Sequence, residues 1–326
     1  MKKILLAFCL FSSCSFAQKR IWLDTDLMIG LPERAPREVD DAITLMMALQ
    51  QADKVQMVGI SIITNAEYGY QTAKQFLNWY GNSDQKQIPV YRGSDKANDL
   101  GLENDATRAL AAALKKEKLT LLAIGPMTNV ATVLKNHPEL AAQIEEVVVC
   151  AGRTAGYSFK PGLEKITVFD YNFEKDVESF RVCLDAGVKF VFSGFECSVY
   201  LFLGHTDYEF LKNGSEGDKW VYDKLRPWSL RGKQLFGNDG FIPYDVTPLG
   251  YLTHPQYFKY YENIPAQINI KPNDATSLGT KVEKPFLEVS KDFEKTSKWR
   301  VVYAYKTLPG FEELMIESLK VGRKVP

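Results

Sequence analysis

The sequence predicts an α/β fold with an open, mostly parallel sheet flanked by helices. Apolar strand-like runs alternate with amphipathic helix-like runs over the first two hundred residues. The strand-like runs are apolar on both faces, which is typical of strands covered by helices on each side of a parallel sheet. Polar residues cluster where these runs stop, at Asp24, Asp26, Asn65 and Glu196 among others. In open α/β sheets the ligand crevice lies outside the carboxyl ends of the strands, so these residues are expected to converge in space. Together these features indicate a Rossmann-like arrangement.

The predicted elements follow one another in a regular order. The strand-like segments are RIWLD, VQMVGISIIT, LTLLAIG, EEVVVCAG and VKFVFSG. The helix-like segments between them are DAITLMMALQ, YGYQTAKQFLNWYG, ATRALAAALKKE, NVATVLKNH and KDVESFRVCLDAG. From about residue 200 the chain becomes α-rich and aromatic, which predicts a helical segment near the cleft, with a further helix-like run at TPLGYLTHPQYF. The last sixty residues predict a small C-terminal strand/helix element from YENIPAQINI, KWRVVYAYK and FEELMIESLK.

The N-terminal residues and the composition of the chain indicate where the protein acts and which partners it lacks. Residues 1–17 have two lysines, an apolar run and a Ser-Phe-Ala ending, which predicts a signal peptide followed by one domain over 18–326. The protein is therefore expected to be exported, either periplasmic or secreted, with a lipid anchor on Cys14 as an alternative. The 40 basic and 40 acidic residues balance, so no nucleic-acid partner is expected. No later segment has the roughly 20 apolar residues of a membrane span.

The cysteines of the expected mature chain do not predict a framework of disulfides or a metal site. Cys150, Cys183 and Cys197 are odd in number and lack metal-ligand spacing. We therefore expect them to be buried as small hydrophobic side chains.

Four aspartates surround the first strand-to-helix turn. Asp24 and Asp26 end a strand and share one side of it, whereas Asp40 and Asp41 open the next helix. One of the second pair could instead be a structural N-cap, because Asp favours helix N-termini. Capping explains one aspartate but not four, and unpaired buried carboxylates are costly. The pattern indicates a cation site for Ca²⁺ or Mg²⁺, which prefer oxygen ligands.

Zn²⁺ is disfavoured at this site because His137, His205 and His254 are distant from it in sequence. A second block, LLAIGPMTNVATVLKNHPEL, reads as a strand running through Gly-Pro into a helix. Its strand end leaves carbonyl groups that a hard cation could use. By itself the block is an ordinary strand-turn-helix with Thr128 or Asn129 as a cap.

Several of these motifs, taken in order, resemble the inosine-uridine preferring nucleoside hydrolase family over about residues 20–321. They are the paired aspartates of the first turn, GISIITNA, IPVYRGSDK, LLAIGPMTNVATVLKNHPEL, VVVCAG, FDYNFEKDVESFRVCLDAG and YDVTPLGYLTHPQYF. The resemblance implies an enzyme that hydrolyses the N-glycosidic bond of ribonucleosides with Ca²⁺ as cofactor. Relatives of this kind tend to be dimers or tetramers, so a homo-oligomer is expected.

The resemblance also implies a calcium ligand set. Asp26 matches the aspartate that binds the metal and accepts a proton from the attacking water. Asp41 matches the bidentate ligand, Ile124 the position that gives a main-chain carbonyl, and Asp245 the last ligand, which comes from the far end of the chain.

The same matching implies ribose-binding residues. Asp40 matches the carboxylate that holds a ribose hydroxyl, and Asn65 an asparagine on the ribose side. Asp170 and Asn172 match the ends of the family's Glu-Phe-Asn motif, and Asp24 matches a supporting acid behind the metal ligands.

Three departures from the family pattern concern catalysis. Thirteen residues, Leu27 to Val39, separate Asp26 from the Asp-Asp pair, and we interpret the surplus as a loop extension folding back beside the metal. Asp170-Tyr171-Asn172 replaces Glu-Phe-Asn, so the first carboxylate is one methylene shorter. Tyr244 stands where many members have a histidine able to protonate the departing base, and Tyr244 is the candidate for leaving-group assistance.

Two alternative functions remain open at this level. A phosphatase of the haloacid dehalogenase type would also have a strand ending in Asp-x-Asp, with NDGFIPYD as a later motif, but it leaves Asp40 and Asp41 unexplained. A nucleoside- or ribose-binding protein of the same fold with impaired catalysis would explain Tyr244 and the extended loop.

Overall fold

The computed structural model describes residues 18–32, 39–161, 167–275 and 282–320. The predicted signal peptide, Cys14 and the centre of the extended loop lie outside these residues. The strands are β1 (Lys19–Thr25), β2 (Val55–Ile62), β3 (Val90–Arg92), β4 (Leu119–Ala123), β5 (Ile144–Cys150), β6 (Arg153–Thr154), β7 (Phe190–Ser193), β8 (Leu203–Gly204), β9 (Gly240–Phe241), β10 (Phe258–Pro272), β11 (Glu283–Val289) and β12 (Trp299–Thr307). The helices are α1 (Asp40–Gln50), α2 (Ala66–Tyr80), α3 (Asp105–Leu114), α4 (Thr128–Asn136), α5 (Tyr171–Lys175), α6 (Val177–Asp185), α7 (Phe195–Ser198), α8 (Glu216–Phe236), α9 (Val246–Thr253) and α10 (Phe311–Lys320).

The predicted open sheet is confirmed. Among the described residues ten strands form one sheet in the order β3-β2-β1-β4-β5-β7-β12-β10-β11-β6. From β3 to β12 every neighbouring pair is parallel, and β10 then pairs antiparallel with both β12 and β11. The order reverses between β1 and β4, so their carboxyl ends border the kind of crevice in which α/β proteins bind ligands.

Two apolar layers cover the faces of the sheet. One is formed with α1, α2, α8, α9 and α10, through side chains such as Met46, Phe76 and Leu249. The other is formed with α3, α4 and α6, through side chains such as Leu110, Val130 and Phe180. Burial on both faces explains why the strands are continuously apolar.

The C-terminal element differs from its prediction in extent. The segment YENIPAQINI belongs to β10, which runs over fifteen residues, Phe258–Pro272. Its partner β11, Glu283–Val289, was not predicted, because Glu283, Lys284, Pro285 and Glu288 break the apolar pattern of a strand. The short edge strand β3 was missed as well, since three residues carry too little periodicity.

The α-rich segment near the cleft is confirmed as α8. Ser215 accepts a hydrogen bond from the N–H of Asp218 at its start, and Gly237 ends it with φ of 82°. No helix in the described part of the chain is long and apolar enough to cross a membrane.

The prediction that the three cysteines are buried is confirmed for two of them. Cys183 and Cys197 are buried, whereas Cys150 is partly exposed at the end of β5. All three are free thiols.

Candidate active site

Three of the predicted aspartates converge in space. Asp40 and Asp41 lie in the first turn of α1, and Asp245 immediately precedes α9. Each offers a carboxylate oxygen, and these oxygens all lie within 4.8 Å of one another. All three residues are buried. The N-termini of two helices therefore bring together carboxylates that are about two hundred residues apart in sequence, and both helix dipoles favour negative charge there.

These carboxylates are not used as helix caps. Val39 occupies the N-cap position of α1, and neither it nor Asp245 makes a side-chain capping bond. The alternative in which Asp40 or Asp41 serves only as an N-cap is therefore wrong. Asp41 accepts a hydrogen bond from the Thr25 hydroxyl, and its Oδ2 has no hydrogen-bond partner among the described residues.

Asp26 lies beside this group, just after β1. It is 1% exposed, and its charge helps to raise the pKa of Asp245. A Cβ added to Gly125 would lie 2.9 Å from an Asp26 carboxylate oxygen. The glycine of the Gly-Pro block thus leaves room for Asp26 at the end of β4, where the Ile124 carbonyl also lies.

The electrostatics of the cluster indicate a cation. Burial raises the pKa of Asp40 to about 6 and that of Asp41 to about 7. Burial, followed by the charges of the neighbouring carboxylates, raises the pKa of Asp245 well above its usual range. Buried like charges persist together only if something positive lies between them. The unpartnered Oδ2 of Asp41 and the all-oxygen donors fit a hard divalent cation.

Asp24 supports the site from behind. It is fully buried and accepts hydrogen bonds from the Ser61 hydroxyl of β2 and from Asn129 Nδ2 at 2.8 Å. Burial raises the pKa of Asp24 to about 7. Asn129 also accepts the N–H of Ser94 at 2.9 Å. The expected capping role of Thr128 or Asn129 is wrong, because neither side chain caps α4 and Asn129 instead joins three segments at the strand ends.

A cavity of about 570 Å³ opens onto Asp40 and Asp245, within the size range of small-molecule sites. Its walls are mostly aromatic and apolar, and α8 supplies several of them. Trp228 and Arg231 come from the aromatic, basic segment around Tyr222 to Arg231, which the sequence offers as a second candidate for leaving-group activation. The wall residues that the sequence did not assign to a site are Cys150, Phe159, Phe169, Ser193, Phe195, Phe202, Phe236 and Phe241. Scattered aromatics carry no motif, so only the fold reveals that they share a cavity.

Tyr244 is part of the cavity wall. Its ring stacks on Phe195 with centroids 5.4 Å apart, and Phe195 stacks on Phe159 at 4.1 Å. Burial and the nearby Asp40 carboxylate raise the pKa of Tyr244 well above that of free tyrosine. The phenol is therefore a hydrogen-bond donor and a weaker acid than usual.

Asp170 and Asn172 line the same cavity. Asp170 accepts the N–H of Gly152 at 2.8 Å, and burial raises its pKa to about 6. Asn172 Nδ2 donates to the carbonyls of Ile124 at 3.0 Å and Cys150 at 3.1 Å. The amide NH₂ is thus committed to the ends of β4 and β5, which leaves Asn172 Oδ1 for a ligand.

Other strand-end residues do not join the cluster. Asn65 lines a neighbouring open pocket, and its Nδ2 contacts the Met28 sulfur at 3.0 Å. Glu196 accepts hydrogen bonds from the Thr154 N–H and the Tyr303 hydroxyl. The buried residues Leu27 to Ile29 begin the extended loop, and the Ile29 carbonyl accepts a bond from Tyr68, so this part packs against α2. Convergence at the sheet edge is therefore only partial.

The raised pKa values predict an unusual pH dependence of stability without metal. A carboxyl whose pKa rises on folding stabilises the protein below its unfolded value of about 4, and this contribution is lost as pH rises through the folded value. In EDTA we expect the thermal unfolding midpoint to fall by several degrees between pH 5 and pH 8. A saturating divalent cation should remove the part of this fall that comes from the metal-binding carboxylates, because it stabilises their charged forms, whereas the raised pKa of Asp24 contributes in both conditions.

The difference between the EDTA and metal curves is the quantity to measure, because surface carboxyls contribute equally to both. A difference that shrinks towards pH 8 would contradict the raised pKa values.

Comparisons with known proteins show what the chain is similar to. A family model described as inosine-uridine preferring nucleoside hydrolase matches residues 21–307. The chain is 24% identical over 252 residues to the pyrimidine-specific ribonucleoside hydrolase RihA of Klebsiella pneumoniae, covering 68% of this chain and 79% of that protein. It is 23% identical over 254 residues to RihB of Escherichia coli O157:H7, also described as pyrimidine-specific, covering 68% and 78%.

Solved structures share the fold. A plant nucleoside hydrolase superposes with a TM-score of 0.70 at 17% identity, covering 93% of this chain and 98% of that one. A purine-preferring ribonucleoside hydrolase from Gardnerella vaginalis gives 0.69 at 16% identity, covering 92% and 98%.

Proposed function

The chain belongs to the inosine-uridine preferring nucleoside hydrolase family, and from that premise we propose that it is an exported, calcium-dependent N-ribohydrolase. It would cleave the N-glycosidic bond of ribonucleosides to give free base and ribose. The observation that carries the proposal is the buried carboxylate cluster, which opens through Asp40 and Asp245 onto a cavity of nucleoside size. The alternative of a haloacid dehalogenase-type phosphatase is excluded, because the chain belongs to the nucleoside hydrolase family.

Calcium would be held by Asp26, Asp41, Asp245 and the carbonyl of Ile124. The burial of the three aspartate side chains supports this set. The Ile124 carbonyl accepts one hydrogen bond from Asn172, which leaves its second lone pair for the metal. The donors are hard oxygens, which suit Ca²⁺ better than Zn²⁺. When bound, the ion would supply a fixed positive charge that polarises water and orients ribose hydroxyls.

The protein groups would then divide the chemistry. Asp26 accepts a proton from the attacking water, whose oxygen forms the new bond to C1′ of the ribose as the bond to the base breaks. Positive charge develops on the ribose ring, and the surrounding carboxylates stabilise it. Asp40, Asp170 and the free Oδ1 of Asn172 hold the ribose hydroxyls, which fixes C1′ against the water.

In this proposal Asn65 is a candidate ribose contact, whereas Asp24 supports the structure of the site. Asn65 would reach the ribose side only if its amide leaves the Met28 sulfur, since it now faces the neighbouring pocket. Asp24 holds the end of β1 in place through Ser61 and Asn129.

Export and assembly are separate parts of the proposal. The pattern of residues 1–17 supports cleavage after Ala17 and a periplasmic or secreted enzyme. The mass of the protein recovered outside the cytoplasm would identify cleavage, or lipid on Cys14. A homo-oligomer is proposed from family resemblance, and sedimentation would test it.

The deciding experiment is release of reducing sugar from a panel of purine and pyrimidine nucleosides. Hydrolysis should stop after exhaustive EDTA treatment and return on addition of Ca²⁺. Full activity in EDTA with no metal by elemental analysis would reject the calcium proposal. Binding of nucleosides without any release of ribose would instead support the binding-protein alternative, which Tyr244 favours.

Replacing Tyr244 by phenylalanine tests how the base departs. We propose that the buried phenol donates a hydrogen bond to the leaving base rather than transferring its proton, because its pKa is raised. Tyr244→Phe should slow inosine or uridine hydrolysis on the order of 10-fold, less than the roughly 10²- to 10⁴-fold typical of a general acid.

The matched substrate is p-nitrophenyl riboside, whose leaving group needs no proton. Its hydrolysis should be nearly unchanged by Tyr244→Phe. Equal rates for wild type and variant on both substrates would remove Tyr244 from the mechanism, and leaving-group activation would then be sought around Tyr222 to Arg231.

A further inference from the structure

A cluster of buried charged side chains lies behind Asp170. The Lys284 side chain is 0% exposed and the Arg153 side chain is 1% exposed, although lysine and arginine are rarely buried completely. Two carboxylates, Glu174 and Asp274, complete the group. Lys284 is on β11, Arg153 is on β6, and Glu174 is on α5, so the cluster joins the last strands of the sheet to the segment that lines the cavity.

Ion pairs hold the cluster together. Lys284 Nζ pairs with Glu174 Oε1 and lies 3.0 Å from Asp274 Oδ1. Arg153 Nη1 lies 2.7 Å from Asp274 Oδ2, and Nη2 lies 4.0 Å from Glu174 Oε1. The Arg153 guanidinium also stacks on Phe159 with its Cζ 3.8 Å from the ring centroid. Each buried cation therefore faces both carboxylates.

The cluster contacts the main chain of the ribose-binding segment. Glu174 Oε1, the oxygen that pairs with Lys284, accepts the N–H of Asp170 at 3.0 Å. The Asp170 carbonyl in turn accepts the N–H of Glu174 at 2.7 Å. The Asp170 carboxylate is fixed by the Gly152 N–H, one residue before Arg153. The position of Asp170 thus depends on where Lys284 and Arg153 hold Glu174.

Stability alone does not explain this arrangement. Burying ion pairs costs desolvation, and well-packed hydrophobic residues often serve equally well. A short carboxylate makes placement more demanding: Asp170 is one methylene shorter than the glutamate of the motif it resembles, so its reach depends on its main chain. The positive charges of Arg153 and Lys284 also oppose the rise in the Asp170 pKa that burial causes.

We propose that Lys284 is a positioning residue for substrate, acting through Glu174 on Asp170. The inference rests on the proposed function, because it assigns this segment to the ribose. Lys284 is not among the residues that line the cavity at Asp40 and Asp245, so its effect on substrate must be transmitted by the Glu174 carboxylate.

The test compares Lys284→Met with Lys271→Met. Lys271 is the matched control because it stands opposite Lys284 in the pairing of β10 with β11, whereas its Nζ pairs with a different buried carboxylate, that of Glu288, at 2.6 Å. Lys284→Met should lower kcat/KM for a nucleoside by about 10- to 100-fold, the effect typical of lost supporting partners. Lys271→Met should stay near wild type, and both should keep wild-type metal content.

A double-mutant cycle with Asp170→Ala separates positioning from general loosening. If Lys284 acts through Asp170, adding Lys284→Met to Asp170→Ala should change kcat/KM little further. Multiplicative losses, or a Lys284→Met enzyme as active as the control, would overturn the proposal. Should Lys284→Met not fold, Lys284→Met with Glu174→Gln removes both charges and should show the same loss.

Ribose binding by calorimetry keeps this inference distinct from the proposed function, since it needs no turnover. Weaker ribose binding by Lys284→Met than by Lys271→Met supports the inference even if wild type hydrolyses no nucleoside. Equal ribose binding and equal kcat/KM in the two variants would reject it while leaving the proposed function intact.

Discussion

Asp26→Asn is expected to lower kcat by about 10²- to 10⁴-fold, the range that a general base contributes. The amide keeps an oxygen beside the cluster but cannot accept the proton of the attacking water. KM should change much less, because the ribose contacts proposed for Asp40 and Asn172 remain. Steady-state kinetics on inosine and uridine would give both constants.

Measuring the metal content shows whether kcat falls because Asp26 no longer accepts a proton or because it no longer binds the metal. Asp26 is proposed to do both, so Asp26→Asn should bind calcium more weakly and be assayed at saturating Ca²⁺. A rate that recovers to wild type at high Ca²⁺ would show that Asp26 is only a ligand.

Asp245→Ala is expected to abolish activity through loss of metal. Asp245 contributes one of the three carboxylates that meet within 4.8 Å, and burial, followed by the charges of the other carboxylates, raises its pKa well above the usual range. Losing a residue that only hydrogen-bonds a metal ligand typically lowers metal affinity by roughly 10- to 100-fold, and the loss of Asp245, a direct ligand, should lower calcium affinity by more than that. The metal-free protein should become more stable, because removing one buried carboxylate relieves repulsion.

Asp105→Ala is the matched control, since Asp105, like Asp245, lies at the N-terminus of a helix, but its side chain is 62% exposed. It should leave calcium binding and rate unchanged. Retention of metal and rate by Asp245→Ala would show that the C-terminal motif has been matched to the wrong position.

Much of the fold could be predicted because local pattern and tertiary environment agree. Strands such as β4 and β5 are buried on both faces, so their uninterrupted apolar runs mark them. The strand β11 was missed for the opposite reason. Lys284 and Glu288 are inside the protein, where only their ion pairs make burial tolerable, and sequence period cannot reveal such partners.

The candidate site likewise has features that the sequence predicts and contacts that it does not predict. The Asp-x-Asp and Asp-Asp pairs are local features, so their chemistry and their place at one strand-to-helix turn follow from sequence alone. Asn129 looked like a cap because Asn commonly caps helices, yet its amide reaches Asp24 at 2.8 Å from the opposite side of the turn. A residue's local preference does not decide between a cap and a partner that lies far away in sequence.

The sequence by itself determined that the sheet is open and mostly parallel and that an acidic turn suits a hard cation, because these depend on periodicity and on residue type. The family resemblance already implied that Asp245 joins Asp41 at the metal. Only the tertiary structure decided that the Asp40 carboxylate meets both of them, that Asn65 faces a neighbouring pocket, and that aromatics from distant segments enclose one cavity. The physical reason is that such contacts join segments up to two hundred residues apart. Their geometry is set by packing of α1, α8 and α9 against the sheet, which no local pattern encodes.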